Sequence, residues 1–285
     1  MPRTDPTPVT IDTLRQWALP EAEGSKYSRG QVVVIGGARS APGAAMLAGV
    51  SALRVGAGRL TLAVAGSVAP HVAVAIPESA VLGLSETAEG HVTSIDDAAR
   101  ELERAGAVLV GPGLDSPEET ARMLERLPEL VSDDATIVLD AFALGVLPGL
   151  PDLGFGGRLI LTPNVEEAGR LLDREISDLA ADTAAIAKKF GAAVTCFGAV
   201  SDPDGQRWSV VAGSPGLATS GSGDALAGAI VGLAARGASP AQAAVWGTHL
   251  HAMAGDRLAA SVGPIGYLAG EIPPLLPHLL NEIGR

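Results

Sequence analysis

Between Val32 and Val64 the chain reads VVVIGGARSAPGAAMLAGVSALRVGAGRLTLAV. Two β-branched runs, Val32–Ile35 and Leu60–Val64, flank a stretch, Ala44–Val55, whose apolar residues recur at helical spacing. Each run is apolar on both faces, as a parallel strand covered by helices on both sides must be. The pattern continues in Val108–Val110, Ile137–Leu139 and Leu159–Leu161, interleaved with helical stretches at Pro117–Leu127, Glu166–Leu172 and Thr183–Phe190. This alternation predicts a three-layer α/β domain around a mostly parallel central sheet. The last third predicts two adjacent helices, Asp224–Ala235 and Pro240–Ala260. Between them Gly237 suits a left-handed cap, Ser239 an N-cap and Pro240 a first helical position. A short helix within Gly266–Ile283 closes one side.

Composition narrows the function. Twenty Lys and Arg stand against 32 Asp and Glu, a formal charge of -12, so the attraction to phosphate backbones that dominates nucleic-acid affinity is missing. A nucleic-acid or anionic-membrane partner is not expected. Four Phe, three Trp and two Tyr are too few to build stacking platforms for bases in quantity, and small aliphatic side chains must fill the core. A lone cysteine, Cys196, excludes an internal disulfide framework and a multi-thiolate zinc site. Met1–Trp17 carries prolines and acids where a signal peptide needs an apolar core. The apolar run Ala225–Ala235 is far short of the roughly 20 residues that span a bilayer. A soluble, cytoplasmic protein is expected. Gly and Pro fall between the periodic segments rather than in one tract, so residues 1–285 read as a single domain without linker or repeat.

The strongest local signal is GSPGLATSGSGDALAG, Gly213–Gly228, where small residues run directly into an apolar helix. The first turn of a helix offers unpaired N–H donors and the positive end of the helix dipole, so Gly221, Ser222 and Gly223 can form an anion hole for a phosphate. Asp224 then sits at its rim, where a carboxylate can exchange a proton with a substrate hydroxyl; the plainer alternative is an ordinary N-cap. Gly36-Gly37 and Gly111-Pro112-Gly113 each follow a strand. In open α/β sheets ligands bind outside the carboxyl ends of the strands, so these loops should share one rim. Other polar residues read as structural. His249 and His251 straddle Leu250 and point in different directions, Cys196 lies in an apolar run, and Lys188 and Lys189 occupy a solvated helix face. Asp256 is as readily a helix-face charge as a functional acid.

Read together, SKYSRGQVVVIGGARSAPGAAMLAGVSALRVGAGRLTLAV, VLVGPGLD, IVLDAFAL, LTPNVEEAGRLL, PGLATSGSGDALAGAIVGL and AVWGTHLHAMAGDRLA resemble, in order and from about Lys26 to Pro277, the ADP-dependent NAD(P)H-hydrate dehydratases. The glycine-Asp element is shared with the wider ribokinase-like superfamily. The resemblance implies a ribokinase-like αβα sandwich and a lyase that removes water from the S-epimer of hydrated NADH or NADPH (NADHX or NADPHX). It implies ADP as co-substrate, magnesium as counter-ion without a dedicated metal site, a homo-oligomer with a tetramer among its forms, and a separate epimerase as functional partner. It assigns Asp224 as catalytic acid/base beside the hydrate, and Ala44, Gly113 and Asn164 to the hydrate pocket. Gly198, Ala199, Gly221, Ser222 and Gly223 would meet the nucleotide.

Four departures from the family pattern stand out. Phe142 replaces an acid in IVLDAFAL, although Asp140 is kept. In LTPNVEE, Asn164 replaces His, Val165 replaces Pro and Glu166 replaces Gly, while Glu167 keeps the acid. Phe197 stands where a lysine is expected before Gly198, and Gly198–Pro203 is about three residues short, removing a point charge and part of a phosphate loop. Ser214 replaces an Asn. A weakened nucleotide site is therefore expected. Two other readings follow: a small-molecule kinase in which Asp224 activates an alcohol toward the γ-phosphate of ATP, and a diverged, non-catalytic nucleotide-binding protein.

Overall fold

The computed structural model describes residues 5–21 and 24–284. Its strands are β1 (Thr7–Pro8), β2 (Gln31–Ile35), β3 (Arg59–Ala65), β4 (Ala80–Leu84), β5 (Ala107–Val110), β6 (Thr136–Leu139), β7 (Leu159–Leu161), β8 (Ala192–Cys196), β9 (Ala199–Ser201) and β10 (Arg207–Ser209). They form one sheet in the order β1-β10-β9-β8-β7-β6-β5-β2-β3-β4. Every pairing is parallel except those of β9, which runs against β8 and β10.

The helices are α1 (Ile11–Gln16), α2 (Pro42–Arg54), α3 (Ala69–Ala75), α4 (Ala99–Glu103), α5 (Pro117–Arg126), α6 (Phe142–Val146), α7 (Val165–Leu172), α8 (Leu179–Phe190), α9 (Ser222–Ala235), α10 (Pro240–Ser261) and α11 (Leu276–Ile283). Strand alternation sorts them into layers. Val32, Val34, Leu60 and Leu62 face a core shared with α2, α9, α10 and α11. Val33, Ile35, Val108 and Ile137 face the opposite core, shared with α4 to α8. The expected three-layer sandwich around a mostly parallel sheet is present.

The strand order decides where a ligand can bind. From β2 the chain builds outward through β3 and β4, then returns to place β5 on the other side of β2 and builds through β6, β7 and β8. The crevice at the carboxyl ends of β2 and β5 is thus the topological switch point. Every strand and helix read from the sequence is found, several with shifted ends. Helix α8 starts at Leu179 rather than Thr183, because the Asp178 side chain accepts a hydrogen bond from Ala181 N. Helix α9 starts at Ser222 rather than Asp224.

The chain ends are tied to each other. β1 pairs with β10, and Arg15 Nε of α1 donates to Ile283 O at the end of α11, at 2.8 Å.

The closest helix contact is α9 on α2. A Cβ on Gly228 would lie 2.1 Å from Ala48 O, and one on Gly232 would lie 2.6 Å from Ala52 O. Glycine at these two positions lets the backbones touch. Gly228→Ala gains about 1 kcal/mol of helix propensity but forces α9 outward. Overpacking of this kind costs about 1–3 kcal/mol, so a net loss of stability in chemical denaturation is expected.

Candidate functional site

The glycine loops that follow β2 and β5 are knitted together at the switch point. Gly37 N donates to Pro112 O and Ala38 N to Gly113 O, both at 2.8 Å. A Cβ on Gly36 would lie 2.1 Å from Pro112 O, so the two turns touch through their backbones. Gly113 has φ +72°, and a Cβ there would come within 3.2 Å of the Ala44 Cβ. Two residues expected to line one pocket, Ala44 and Gly113, are therefore neighbours.

Helix α9 brings its N-terminus to the same place. Its N-cap, Gly221, is left-handed at φ +87° and supplies no side-chain cap. A Cβ on Gly221 would fall 2.5 Å from Leu47 of α2 and 3.9 Å from Asp224 Oδ2. Of the three expected anion-hole residues, Ser222 is buried and both its N–H and its hydroxyl oxygen are engaged. Its N–H goes to Thr219 O, and its hydroxyl bonds His251 Nε2 at 2.9 Å. The N–H groups of Gly223 and Asp224 have no partner among the described residues. His251 Nε2 also meets Ser222 O at 3.0 Å; a carbonyl only accepts, so this nitrogen carries the proton and the ring pins the first turn of α9. Burial pushes the His251 pKa down to about 4, so the ring stays neutral.

Three carboxylates share this rim. Asp224 is half-buried, and burial pushes its pKa up to about 6. Asp140, at the carboxyl end of β6, is only 5% exposed. Burial raises its pKa to about 8 against the pull of the Thr162 hydroxyl, which donates to Oδ1 at 2.7 Å; the charges of Asp224 and Glu167 push it further up. Burial raises Glu167 as well. Sequence reading retained Asp140 without giving it a role; its place at a strand end beside Asp224 was the available signal.

The remaining expected positions divide. Asn164 caps α7: its Oδ1 accepts from Glu167 N while Glu167 Oε2 accepts from Asn164 N, each at 2.9 Å. The Asn164 amide nitrogen stays uncommitted. Phe197 and Gly198 are the two residues joining β8 to β9, with φ +46° and +86°. Positive φ at both positions is the geometry of a tight hairpin that favours Asn-Gly. Phe197 is 86% exposed, and Ala199 is buried behind the turn. Cys196, at the end of β8, is buried, its thiol pushed up to about 12 by burial and then by Glu167. Lys189 donates to Leu171 O at 2.7 Å, so it does not replace the absent lysine.

Two residues do more than the sequence indicated. Asp256 accepts from Gly213 N through both oxygens, at 3.1 and 3.2 Å, anchoring the start of the glycine-rich segment. Asp115, two residues beyond Gly113, accepts from Ser40 Oγ at 2.9 Å and meets His91 Nδ1 at 2.7 Å, tying the two glycine loops to the segment after β4. Among the described residues no group of three or more His, Cys, Asp or Glu is arranged to hold a metal.

Two measurements check this geometry. Because folding raises the Asp140 pKa from 3.8 to about 8, the folded state binds more protons than the unfolded one across that interval, and stability falls as pH rises from about 4 to 8. Asp140→Asn keeps the acceptor for Thr162 and removes the charge, so it should raise the melting temperature more at pH 9 than at pH 5. Phe197→Asn relieves a left-handed aromatic residue and should stabilise the fold by about 1 kcal/mol in denaturant titration.

The chain matches the NAD(P)H-hydrate dehydratase family model over residues 32–277. A Xanthomonas campestris protein named ADP-dependent (S)-NAD(P)H-hydrate dehydratase is 42% identical over 288 residues, covering 97% of each chain. A bifunctional NAD(P)H-hydrate repair enzyme from Moorella thermoacetica is 35% identical over 92% of this chain, which spans only 51% of that longer protein. The Bacillus subtilis ADP/ATP-dependent NAD(P)H-hydrate dehydratase, co-crystallised with ATP and Mg2+, superposes with a TM-score of 0.78 at 26% identity, covering 98% of this chain and 99% of that one. The family model spans most of the chain and the Xanthomonas relative matches it nearly end to end, so the chain belongs to the NAD(P)H-hydrate dehydratase family.

Proposed function

We propose that the protein removes water from the S-epimer of hydrated NADH or NADPH, using ADP as co-substrate, and so restores the reduced dinucleotide. The observation that carries this reading is the half-buried Asp224 carboxylate beside the unpartnered N–H groups of Gly223 and Asp224. An acid-base group and an anion hole occupy the same helix turn.

The hydroxyl to be lost sits on a ring carbon next to nitrogen, and hydroxide is a poor leaving group. Transfer of the terminal phosphoryl group of ADP to that oxygen makes the new P–O bond, breaks the bridging one and releases AMP. Asp224 takes the hydroxyl proton in this step. The nitrogen lone pair then expels phosphate, and the departing phosphate takes a proton from the adjacent carbon, which restores the ring double bond. The free N–H pair stabilises the charge that gathers on the transferred group. Ala44 and Gly113, small and in contact, form the wall against which the ring lies. Asn164 offers its amide N–H, while Gly198 and Ala199 border the nucleotide. Ser222 acts through position, holding the turn by way of His251.

Magnesium fits as a companion of the nucleotide, since it keeps waters and binds through phosphates and one or two carboxylates. Asp224 and Glu167 are the rim carboxylates available to it, and when bound it neutralises phosphate charge. A reduced, buried Cys196 and the absence, among the described residues, of any helix long and apolar enough to cross a membrane accord with a cytoplasmic enzyme. We propose a homo-oligomer that works alongside a separate NAD(P)H-hydrate epimerase.

Purified protein incubated with NADHX, magnesium and ADP should restore NADH absorbance with equimolar AMP and phosphate. A stable phosphorylated product would instead indicate a kinase. Asp224→Asn should lower turnover at least about 100-fold. A base works deprotonated, so the rate should fall as pH drops below about 6; a fall above that pH would make Asp224 the acid instead. A Cβ on Gly223 meets no atom within 4 Å, so Gly223→Ala should leave the melting temperature unchanged while weakening ADP about tenfold in calorimetry, through the space and the charge-assisted bonds it disturbs.

A further inference from the structure

A cavity of about 490 Å³ lies at the end of the sheet opposite Asp224, between the turn after β9, the glycine that precedes β8 and the start of α10. Nothing in the dehydratase chemistry uses it. Its walls hold two of the few aromatic residues of the chain. Of three tryptophans, Trp17 and Trp208 line the cavity and stack with ring centroids 5.5 Å apart and planes at 20°. The third, Trp246, donates from Nε1 to Trp17 O at 3.0 Å, and Gln242 Nε2 donates to Trp17 O and Ala18 O at 3.1 and 2.9 Å. The aromatic wall is thus fixed by two side chains of α10.

The polar lining has one sign. Asp202 is 7% exposed. Its Oδ1 accepts from Gln206 N at 2.8 Å, while Oδ2 has no partner among the described residues, and the residue lines the cavity. Asp204 stands at the mouth, and no Lys or Arg among the described residues lines the space. The N-terminus of α10 offers an anion a single donor that is free among the described residues, the N–H of Ala241. Ser239 Oγ and O already accept from Gln242 N and Ala243 N, and Pro240 has no N–H to offer. A nearly buried carboxylate with one free oxygen, beside the aromatic pair and without a cation, is the composition that recognises a positively charged ligand with apolar substituents.

We propose that this cavity binds a small organic cation, an ammonium group bearing methyl or methylene substituents, with Asp202 as its counter-ion and the Trp17–Trp208 pair as its aromatic wall. The site is independent of the catalytic rim and does not require the dehydratase reading.

The test uses intrinsic tryptophan fluorescence of the full chain, titrated with choline chloride and, at matched ionic strength, with its neutral isostere 3,3-dimethylbutan-1-ol. The expected result is a saturable change with choline and an affinity at least about tenfold lower for the alcohol. Asp202→Asn, which keeps the acceptor for Gln206 N, should weaken choline about tenfold and leave NADH recovery unchanged. Absence of saturation with choline, equal affinity for the alcohol, or a signal that follows protein concentration rather than choline would overturn the proposal, the last by making this face a contact between copies of the chain. The isostere comparison needs only the unmodified protein, so the proposal stays testable even where the variant does not fold.

Discussion

Backbone contact between α2 and α9 is the constraint on which the rest of this molecule depends. Two glycines on α9 lie against two alanines on α2, and the carbonyl oxygens of Ala48 and Ala52 occupy the space that side chains would need. Helices this close behave as one rigid element, because close-packed interiors transmit displacements rather than absorb them. The N-terminal turns of both helices therefore reach the sheet rim in fixed relation. One carries Ala44 and Leu47, the other Gly221 and Asp224. Gly49 continues the seam on the other side, for a Cβ there would fall 2.8 Å from Leu60 and from Leu62 of β3.

Around that seam the site is assembled from backbone more than from side chains. The two glycine loops exchange N–H and carbonyl groups directly, and the helix turn presents bare donors. The side chains that do enter are carboxylates held at different distances from water. Asp140 is buried far enough to keep its proton near neutrality, whereas Asp224, closer to solvent, titrates near pH 6. Two like groups a short way apart thus hold different protonation states, which lets one accept a proton while the other remains neutral.

The fold was readable wherever periodicity and chain length agreed. Val32–Ile35, Leu60–Val64 and the stretch between them announced a strand, a helix and a strand, and all three are present. β9 and β10 were harder to read, since three-residue strands that depend on hairpin pairing leave little periodic trace. The position of Asp224 followed from the glycines before it, yet the tie that holds the Ser222 hydroxyl could not, because it depends on His251, 29 residues further on. Asp256 had no local pattern either: its partner is the backbone N–H of Gly213, and a backbone group leaves no mark in the sequence. Phe197 was visible as a departure. Its left-handed backbone follows from the shortening of the loop, which leaves only two residues to reverse the chain.

The tie between the chain ends bears on how the protein is made. The strand near the N-terminus pairs with residues about 200 positions later, and Arg15 reaches a carbonyl 268 residues away. Contacts of such long range cannot form until those later residues have left the ribosome, so the earlier segments wait for their partners during synthesis. Leu14 and Trp17 must spend that interval without the helices that later cover them. The sheet from β2 to β7 can close first, and the N-terminal segment then locks across its far edge as a final step.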